Sequence, residues 1–568
     1  MNALKIAVIA SLAATAVAER AYSQSCTTMP PQSDFTIEEV AMAPGTPMDI
    51  AAAKDGKIYW VERTGAFKSW DPATKAVTTI KNFEVLSSSP GASQYYLAVE
   101  TGLEGLTLDP EFAINHWVYI RYAVPASKLT GLSAHSLGPI ERLSRFTLKN
   151  NDKEVDMTTE KTILEYKIYA QCCHFGGDVE FGSDGNIWMT TGDNIHWNYS
   201  NTNPYQDANP YSDVRSTSAN TNDLRGKTLR IRPLRFPDTE TPAPGVGTTY
   251  EIPAGNLFPP GTANTRPEVY TMGHRNPFSI GIHPDPAKHW LVIGEAGGMD
   301  DDGAGGEDEV NVTTVPGFFG WPFWAGNNVP YNKPNYQGAL NPFANPQATP
   351  NESKQNTGLK VLPPAIPAAI SIATGAFKLA NTCLGVTWGW VKYDPMLDSK
   401  AKWPPFLEGK ALVSAYGSAD VNVATVDANG KVTRLDKLFS ASPFTTDVLK
   451  ATQGADGAFY VARGDGINFN ASSVARIYRV AYKGACFTVS NRPTASRLAG
   501  LLAQRVRVAH MGGNTEVTLP AGIKRAEAYG TDGRLVWESP RSDGAARITR
   551  TIPASVANGM LQLRYFQD

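Results

Sequence analysis

The segment QCCHFGGDVEFGSDGNIWMTTGDN, residues 171–194, sets a histidine between two adjacent cysteines and a Gly-Gly pair, just ahead of a run of strand-forming residues. Histidine is scarce in this chain, eight in 568 residues, and its ordinary pKa near ~6.5 lets it accept a proton at neutral pH. Held at the mouth of a cavity, His174 is a candidate general base; held in a bend that feeds a strand, it is structural. Gly176 and Gly177 let the backbone approach a ligand closely. A second cluster is MGHRNPFSIGIHPD, residues 272–285. Arg275 offers a permanently charged, planar donor fork suited to carboxylate and carbonyl or quinone oxygens. Asn276 can both donate and accept, although an Asn before a proline also reads as a simple turn. The third cluster, GEAGGMDDDGAGGEDEVN (294–311), strings carboxylates among glycines. Hard oxygens on a pliable loop suit calcium, without the EF-hand spacing. Main-chain carbonyls of Gly297 and Gly298 are further candidate ligands, and a solvated acidic loop is the alternative.

Strands must position these groups. AAAKDGKIYWVER (51–63), EFGSDGNIWMTTGD (180–193) and TQGADGAFYVARGDG (452–466) each place an Asp-Gly turn one residue before a β run, and HPDPAKHWLVIGEAG (283–297) is a looser copy. Asp-Gly is a hairpin signal, and Ile, Tyr, Trp and Val favour strands. Repeated hairpins across so long a span imply radially arranged sheets, a β-propeller, though the irregular spacing does not count the blades. The high content of glycine (50) and proline (40), with a charged fraction of only 19%, agrees with a turn-rich all-β chain. Asn/Pro/Gly-rich inserts at 195–225 and 318–360 read as functional loops on that scaffold.

The net charge of −2 offers no basic surface for nucleic acid or anionic membrane. Residues 1–23 carry Lys5, an apolar run from Ile6 to Ala16 and small-x-small cleavage patterns, the signature of a bacterial signal peptide. No later stretch is long enough to span a membrane, so a secreted, periplasmic or cell-surface location is expected. Five cysteines, at 26, 172, 173, 383 and 486, are an odd number. Cys26 and Cys486 are placed to staple the ends of one domain, while a zinc site lacks the second ligand pair it would need. The texture changes after Cys486, and we expect a propeller over 24–487, a linker over 488–505 and a small β-sandwich module over 506–568.

In order along the chain, these clusters resemble the soluble glucose/sorbosone dehydrogenase family, in its Cys-Cys-His branch. The stretches that carry the likeness are GLEGLTLDPEFAINHWVYIRY (102–122), ERLSRFTL (141–148), CCHFGGDVEFGSDGNIWMTTGDN (172–194), SANTNDLRGKTLRIRP (218–233), IPAGNLFPPGTANTRPEVYTMGHRNPFSI (252–280) and DEVNVTTVPGFFGWPFWAGNN (308–328). The resemblance spans about residues 35–483 and is densest in the middle third. It implies a six-bladed β-propeller, pyrroloquinoline quinone (PQQ) and calcium as cofactors, a sugar substrate and an external electron acceptor. His174 falls at the family's base, Arg275 and Asn276 at the pair beside the quinone carbonyl, Gly297 and Gly298 at the calcium-binding carbonyls, and Glu100 where a glutamine often helps position substrate.

One departure stands out. Family members that clamp the cofactor's carboxylates do so with a lysine and two arginines, and here Tyr416, Gly417 and Ser418 and the span from Phe444 to Thr446 stand in their place. Lys450 and Arg463 are the nearest basic substitutes. The missing clamp keeps two other readings open: a non-catalytic propeller that binds a carbohydrate or protein partner, and a lyase or hydrolase using the same cavity. The segment LPAGIKRAEAYGTDGRLVW (519–537) resembles exported-protein sorting domains, which implies export or surface-anchoring machinery as a partner.

Overall fold

The computed structural model describes residues 28–87, 100–125, 137–169, 174–195, 213–298, 307–330, 345–371, 377–379, 385–440, 447–465 and 473–484, and six strands beyond residue 506. All five cysteines, the signal-peptide stretch, the acidic run 299–306 and the span from Phe444 to Thr446 lie outside the described residues. Two compact units are present, one of them Gln24–Phe487 and the other holding the C-terminal strands.

The larger unit is a six-bladed β-propeller. Blade 1 comprises Pro47–Ala52, Ile58–Glu62, Ala66–Trp70 and Val77–Asn82; blade 2 comprises Leu103–Leu108, Trp117–Ala123, Leu137–Lys149 and Glu154–Tyr169. Blade 3 runs Val179–Phe181, Ile187–Thr191, Lys227–Pro233 and Val269–Met272, with Gly317–Phe318 added in parallel at its edge. Blade 4 uses Asn276–Ile282, Leu291–Gly298, Glu307–Thr313 and Ile370–Ser371; blade 5 uses Gly385–Trp390, Ala411–Ala415, Val421–Val426 and Val432–Phe439. Blade 6 is composite: Val448–Gln453, Phe459–Arg463 and Arg476–Tyr482 are completed by the N-terminal strand Phe35–Met42. The first strand of each blade packs against those of its two neighbours, closing a ring.

The repeated Asp-Gly segments join the first and second strands of blades 1, 3 and 6. In each turn the glycine takes a left-handed φ (Gly56 92°, Gly185 78°, Gly457 78°), a conformation that carries no penalty without a Cβ. The aspartate caps the turn by accepting from the N–H two residues on, Asp184 Oδ1 from Asn186 at 3.1 Å for example. The second strands that follow are sandwiched between neighbouring blades. Ile58–Glu62 and Ile187–Thr191 are therefore buried at every residue, and their apolar residues stand side by side rather than alternating. Since these hairpins close one end of the first strands, the loops that enter those strands gather at the other end.

Six strands in the smaller unit form two antiparallel three-stranded sheets. One orders Arg507–Met511, Asn514–Leu519 and Ile548–Ile552; the other orders Leu535–Glu538, Arg525–Tyr529 and Gln562–Phe566. Among the described residues, no helix is long and apolar enough to cross a membrane.

Candidate active site

Glu100 lies just before the first strand of blade 2, His174 just before that of blade 3, and Asn276 opens that of blade 4. Their side chains meet. One carboxylate oxygen of Glu100, Oε2, accepts from the His174 backbone N–H at 2.8 Å and from Asn276 Nδ2 at 3.1 Å. Asn276 returns its Oδ1 to the Gly176 N–H at 3.0 Å. Three adjacent blades are thus tied at one point, with one Nδ2 hydrogen and one Oδ1 lone pair of Asn276 engaged in the scaffold.

His174 has a left-handed φ of 61°, uncommon for a residue with a Cβ. Its carbonyl accepts from the Asn194 N–H at 3.0 Å. Two glycines make the bend possible. A Cβ on Gly192 would lie 2.0 Å from the His174 oxygen, and one on Gly176 would lie 2.7 Å from the Thr190 oxygen. Of the Gly-Gly pair, Gly176 therefore serves close backbone packing against the Ile187–Thr191 strand. Gly177 has only ordinary van der Waals neighbours at its Cβ position, at 3.5 Å.

The imidazole is oriented by a residue that sequence reasoning did not single out. His174 Nδ1 lies 2.7 Å from Asp193 Oδ1. Asp193 is buried and also accepts from the Ile195 N–H at 3.0 Å and, through Oδ2, from Trp321 Nε1 at 2.9 Å. An oxygen so placed takes a proton donor, so Nδ1 carries the hydrogen and Nε2 is the basic lone pair. Among the described residues Nε2 has no hydrogen-bond partner, and the side chain is 8% exposed. Asp193 stood inside the quoted motif, at the end of a strand where an acidic residue is ordinary; Trp321 comes from far along the chain, with no local sign of its role.

Arg275 is buried beside this pair. Its carbonyl accepts from the Asp193 N–H at 2.7 Å, its Nη1 reaches the Ala296 oxygen at 3.4 Å, and its guanidinium carbon lies 5.9 Å from the Trp321 ring centroid. Trp321 therefore touches both the aspartate behind the base and the cation beside it. Next door, His274 Nδ1 meets Glu295 Oε2 at 2.5 Å and its Nε2 meets Thr271 Oγ1 at 2.9 Å. Burial, helped by the Lys227 charge, pushes the His274 pKa down to about 3, and burial pushes Glu295 well up. The two side chains form a buried hydrogen-bonded pair, its histidine next to Arg275 in sequence.

Gly297 and Gly298 end the second strand of blade 4, and the Gly297 N–H is fixed by Asp308 Oδ1 at 3.0 Å. Among the described residues no three His, Cys, Asp or Glu side chains are grouped to hold a metal.

Lys450, the substitute considered for the lost carboxylate clamp, is committed elsewhere. It is buried, ion-paired with Asp178 and hydrogen-bonded to the Ile280 oxygen at 3.0 Å. Arg463 faces Asp447 at 3.6 Å, and Tyr416 and Ser418 are buried. A cavity of about 540 Å³ lies toward the hairpin end of the first strands, lined among others by Asp49, Glu180, Ile282, Trp390, Lys450 and Gln453. None of the expected site residues lines it.

Residues 45–362, more than half of the chain, match the family profile described as glucose/sorbosone dehydrogenase. The chain belongs to that family. Among relatives of the family member, the HIPL2 protein of Arabidopsis thaliana is 28% identical over 155 residues, 27% of this chain and 19% of that protein. Quinoprotein glucose dehydrogenase B of Acinetobacter calcoaceticus is 24% identical over 294 residues, 50% of this chain and 52% of that protein. The chain thus matches about half or less of the length of these relatives. A crystal structure of a glucose dehydrogenase, 18% identical, covers 78% of this chain and 99% of its own with a TM-score of 0.50, a likeness of fold.

Proposed function

We propose that this protein oxidises a sugar or sugar-like alcohol as a PQQ- and calcium-dependent dehydrogenase and passes the electrons to an external acceptor. The observation that carries the reading is the His174–Asp193 pair, with Nδ1 bound and Nε2 bare, beside a buried guanidinium in a member of this family. The donor set suits the cofactor's reacting side. A planar quinone fits against a fixed guanidinium that lies beside an aromatic ring, and the carbonyls of Gly297 and Gly298 offer hard oxygens for calcium. When bound, the quinone supplies the two-electron acceptor and calcium polarises it.

The protein's own part is orientation and one proton. His174 Nε2 accepts the hydrogen of the hydroxyl on the carbon being oxidised. Asp193 keeps the imidazole in the tautomer that permits this and stabilises the imidazolium that results. Arg275 holds a fixed positive charge where negative charge develops, and its burial among low-dielectric neighbours makes that charge count. Glu100 and Asn276 hold the His174 backbone at the correct height. The N-terminal stretch 1–23 as an export signal and the C-terminal module as a sorting element belong to the same proposal, as does a secreted, periplasmic or cell-surface site of action.

The second reading, a propeller that binds a carbohydrate or protein partner without catalysis, is favoured by one observation: Lys450 pairs with Asp178 and is not available to a cofactor carboxylate. Calorimetric titration with PQQ, with and without calcium, decides between them. Calcium-dependent binding in the micromolar range or tighter, followed by dye reduction with a sugar panel that His174→Gln abolishes, is the expected result. Absence of binding under both conditions removes the dehydrogenase reading and leaves a pocket that serves recognition or a quinone-free chemistry.

A further inference from the structure

Support for His174 also reaches it from behind, out of the neighbouring blade. Arg121 sits within the second strand of blade 2, Trp117–Ala123, and is fully buried. Two buried carboxyl groups flank its guanidinium, Glu104 Oε2 at 3.1 Å and Glu141 Oε2 at 3.2 Å, and Nη2 donates to the Tyr166 hydroxyl at 2.9 Å. The remaining bonds leave the blade. Nη1 donates to the carbonyl of Thr190 at 2.8 Å, and Nη2 donates to the carbonyl of Phe175.

Phe175 directly follows His174, and Thr190 lies in the strand that runs out to Asp193. One rigid guanidinium therefore bridges the two segments that carry the two halves of the base pair. Their separation matters, because His174 holds an unfavourable φ that persists only where surrounding contacts over-determine it. Burial pushes both Glu104 and Glu141 above the usual carboxylate range, while the Arg121 pKa is raised; the cation is kept in a place where a charge needs several partners. An ion cluster serving blade 2 alone would be complete with Glu104, Glu141 and Tyr166. The two carbonyls of blade 3 are additional, and both belong to the walls of the His174 bend.

We propose that Arg121 is a positioning residue for the proton transfer: it fixes the His174 bend against the strand that leads to Asp193, and so sets the Nδ1–Asp193 bond and the direction of Nε2. Its effect on turnover rests on the dehydrogenase reading, whereas its effect on the imidazole does not.

Arg121→Lys tests this in the full chain. Lysine preserves a charge opposite Glu104 and Glu141 but is a point donor that does not reach both carbonyls as a planar fork does. In protein labelled with ¹⁵N-histidine, the His174 ring shifts, assigned by their loss in His174→Gln, are expected to report a protonated Nδ1 and a bare Nε2. In Arg121→Lys they should move to a mixture of tautomers. With PQQ and calcium bound, kcat should fall by about 10²-fold, the scale of a 1 Å misplacement at a reacting group, while PQQ affinity holds. Tyr166→Phe removes a partner of Arg121 within blade 2 and should leave both readouts unchanged. If Arg121→Lys does not fold, Arg121→Gln combined with Glu104→Gln and Glu141→Gln removes the cluster without stranding a carboxylate, and the same tautomer change is expected. Retention of the wild-type ring shifts in the folded variant overturns the proposal, as does an equal change in Tyr166→Phe. If no variant, wild type included, binds PQQ, the ring shifts of the free protein still decide the role of Arg121, and only the dehydrogenase reading falls.

Discussion

At the scale of single residues, the proposed base is defined less by His174 than by what faces its two nitrogens. Asp193→Asn retains size but presents an amide that can donate to Nδ1, which favours the tautomer with the hydrogen on Nε2, the nitrogen that has to accept. We expect kcat to fall by about 10²–10⁴-fold, the range seen when an orienting carboxylate or a general base is lost, with PQQ affinity unchanged in the same calorimetric titration. Glu100→Gln makes a milder contrast. A glutamine carbonyl can still accept from the His174 N–H and Asn276 Nδ2, so most of the activity should survive, whereas Glu100→Leu leaves two buried donors without an acceptor and should lower both activity and thermal stability, each orphaned group costing about 1–3 kcal/mol. Comparing kcat and the unfolding midpoint of the two variants separates scaffold from ligand contact. His174 and Arg275 were legible in sequence as candidates because they stood in dense motifs, His174 as one of only eight histidines. Asp193 stood in plain view, yet an aspartate after a strand has many ordinary uses. Trp321 and Lys450 were not legible: the partner of each, Asp193 and Asp178, lies more than a hundred residues away, and only the closed ring brings them together.

At the scale of elements, the first strands carry a second ionisable group of interest far from the base. Glu180, in the first strand of blade 3, has its pKa raised to about 7, mainly by burial and against the attraction of Lys450. The unfolded carboxyl titrates near ~4.3. The folded state therefore binds the proton more tightly, and stability is full below pH ~4.3 and falls as the pH rises toward 7. Because the side chain keeps some access to the cavity, the loss is on the order of 2 kcal/mol. Glu180→Gln should abolish that part of the decline, seen as a flatter plot of unfolding midpoint against pH between about 4.5 and 7; an unchanged slope would mean that Glu180 is not the titrating group. His274 works in the opposite sense. With a folded pKa of about 3 and an unfolded one near ~6.5, it withdraws stability as the pH falls below ~6.5. The strands themselves were legible where Asp-Gly turns marked them, in blades 1, 3 and 6. They were not countable, because blade 2 joins its first two strands through the short helix Phe112–Asn115 and blade 5 through a long proline-containing loop over residues 391–410.

At the scale of the molecule, the ring depends on a pairing between its two ends. Phe35–Met42 pairs antiparallel with Arg476–Tyr482, Phe35 opposite Tyr482. Phe35 packs edge-on against Trp403, Phe439 and Tyr482, with ring centroids 4.9, 5.1 and 5.3 Å apart. Closing a loop of this length costs entropy that only the final contacts repay, so these contacts weigh on the stability of the whole ring. Phe35→Ala should lower stability by about 3–5 kcal/mol, and Phe35→Leu by less. The same geometry says where the propeller can end. Among the described residues, the last held to it are Tyr482, whose N–H donates to Ala401 at 3.1 Å, and Lys483, whose N–H donates to Asp34 at 2.7 Å. A chain cut after Phe487 retains every one of these bonds and Cys486, and loses only the linker and the proposed C-terminal module. It should therefore unfold at the same midpoint as the propeller of the full chain and give the same PQQ titration. A chain cut after Arg476 removes most of the closing strand and is expected to show neither a cooperative transition nor binding. Loss of folding in the longer truncation would mean that the boundary drawn near residue 487 is wrong and that the C-terminal strands are part of the propeller's own stability.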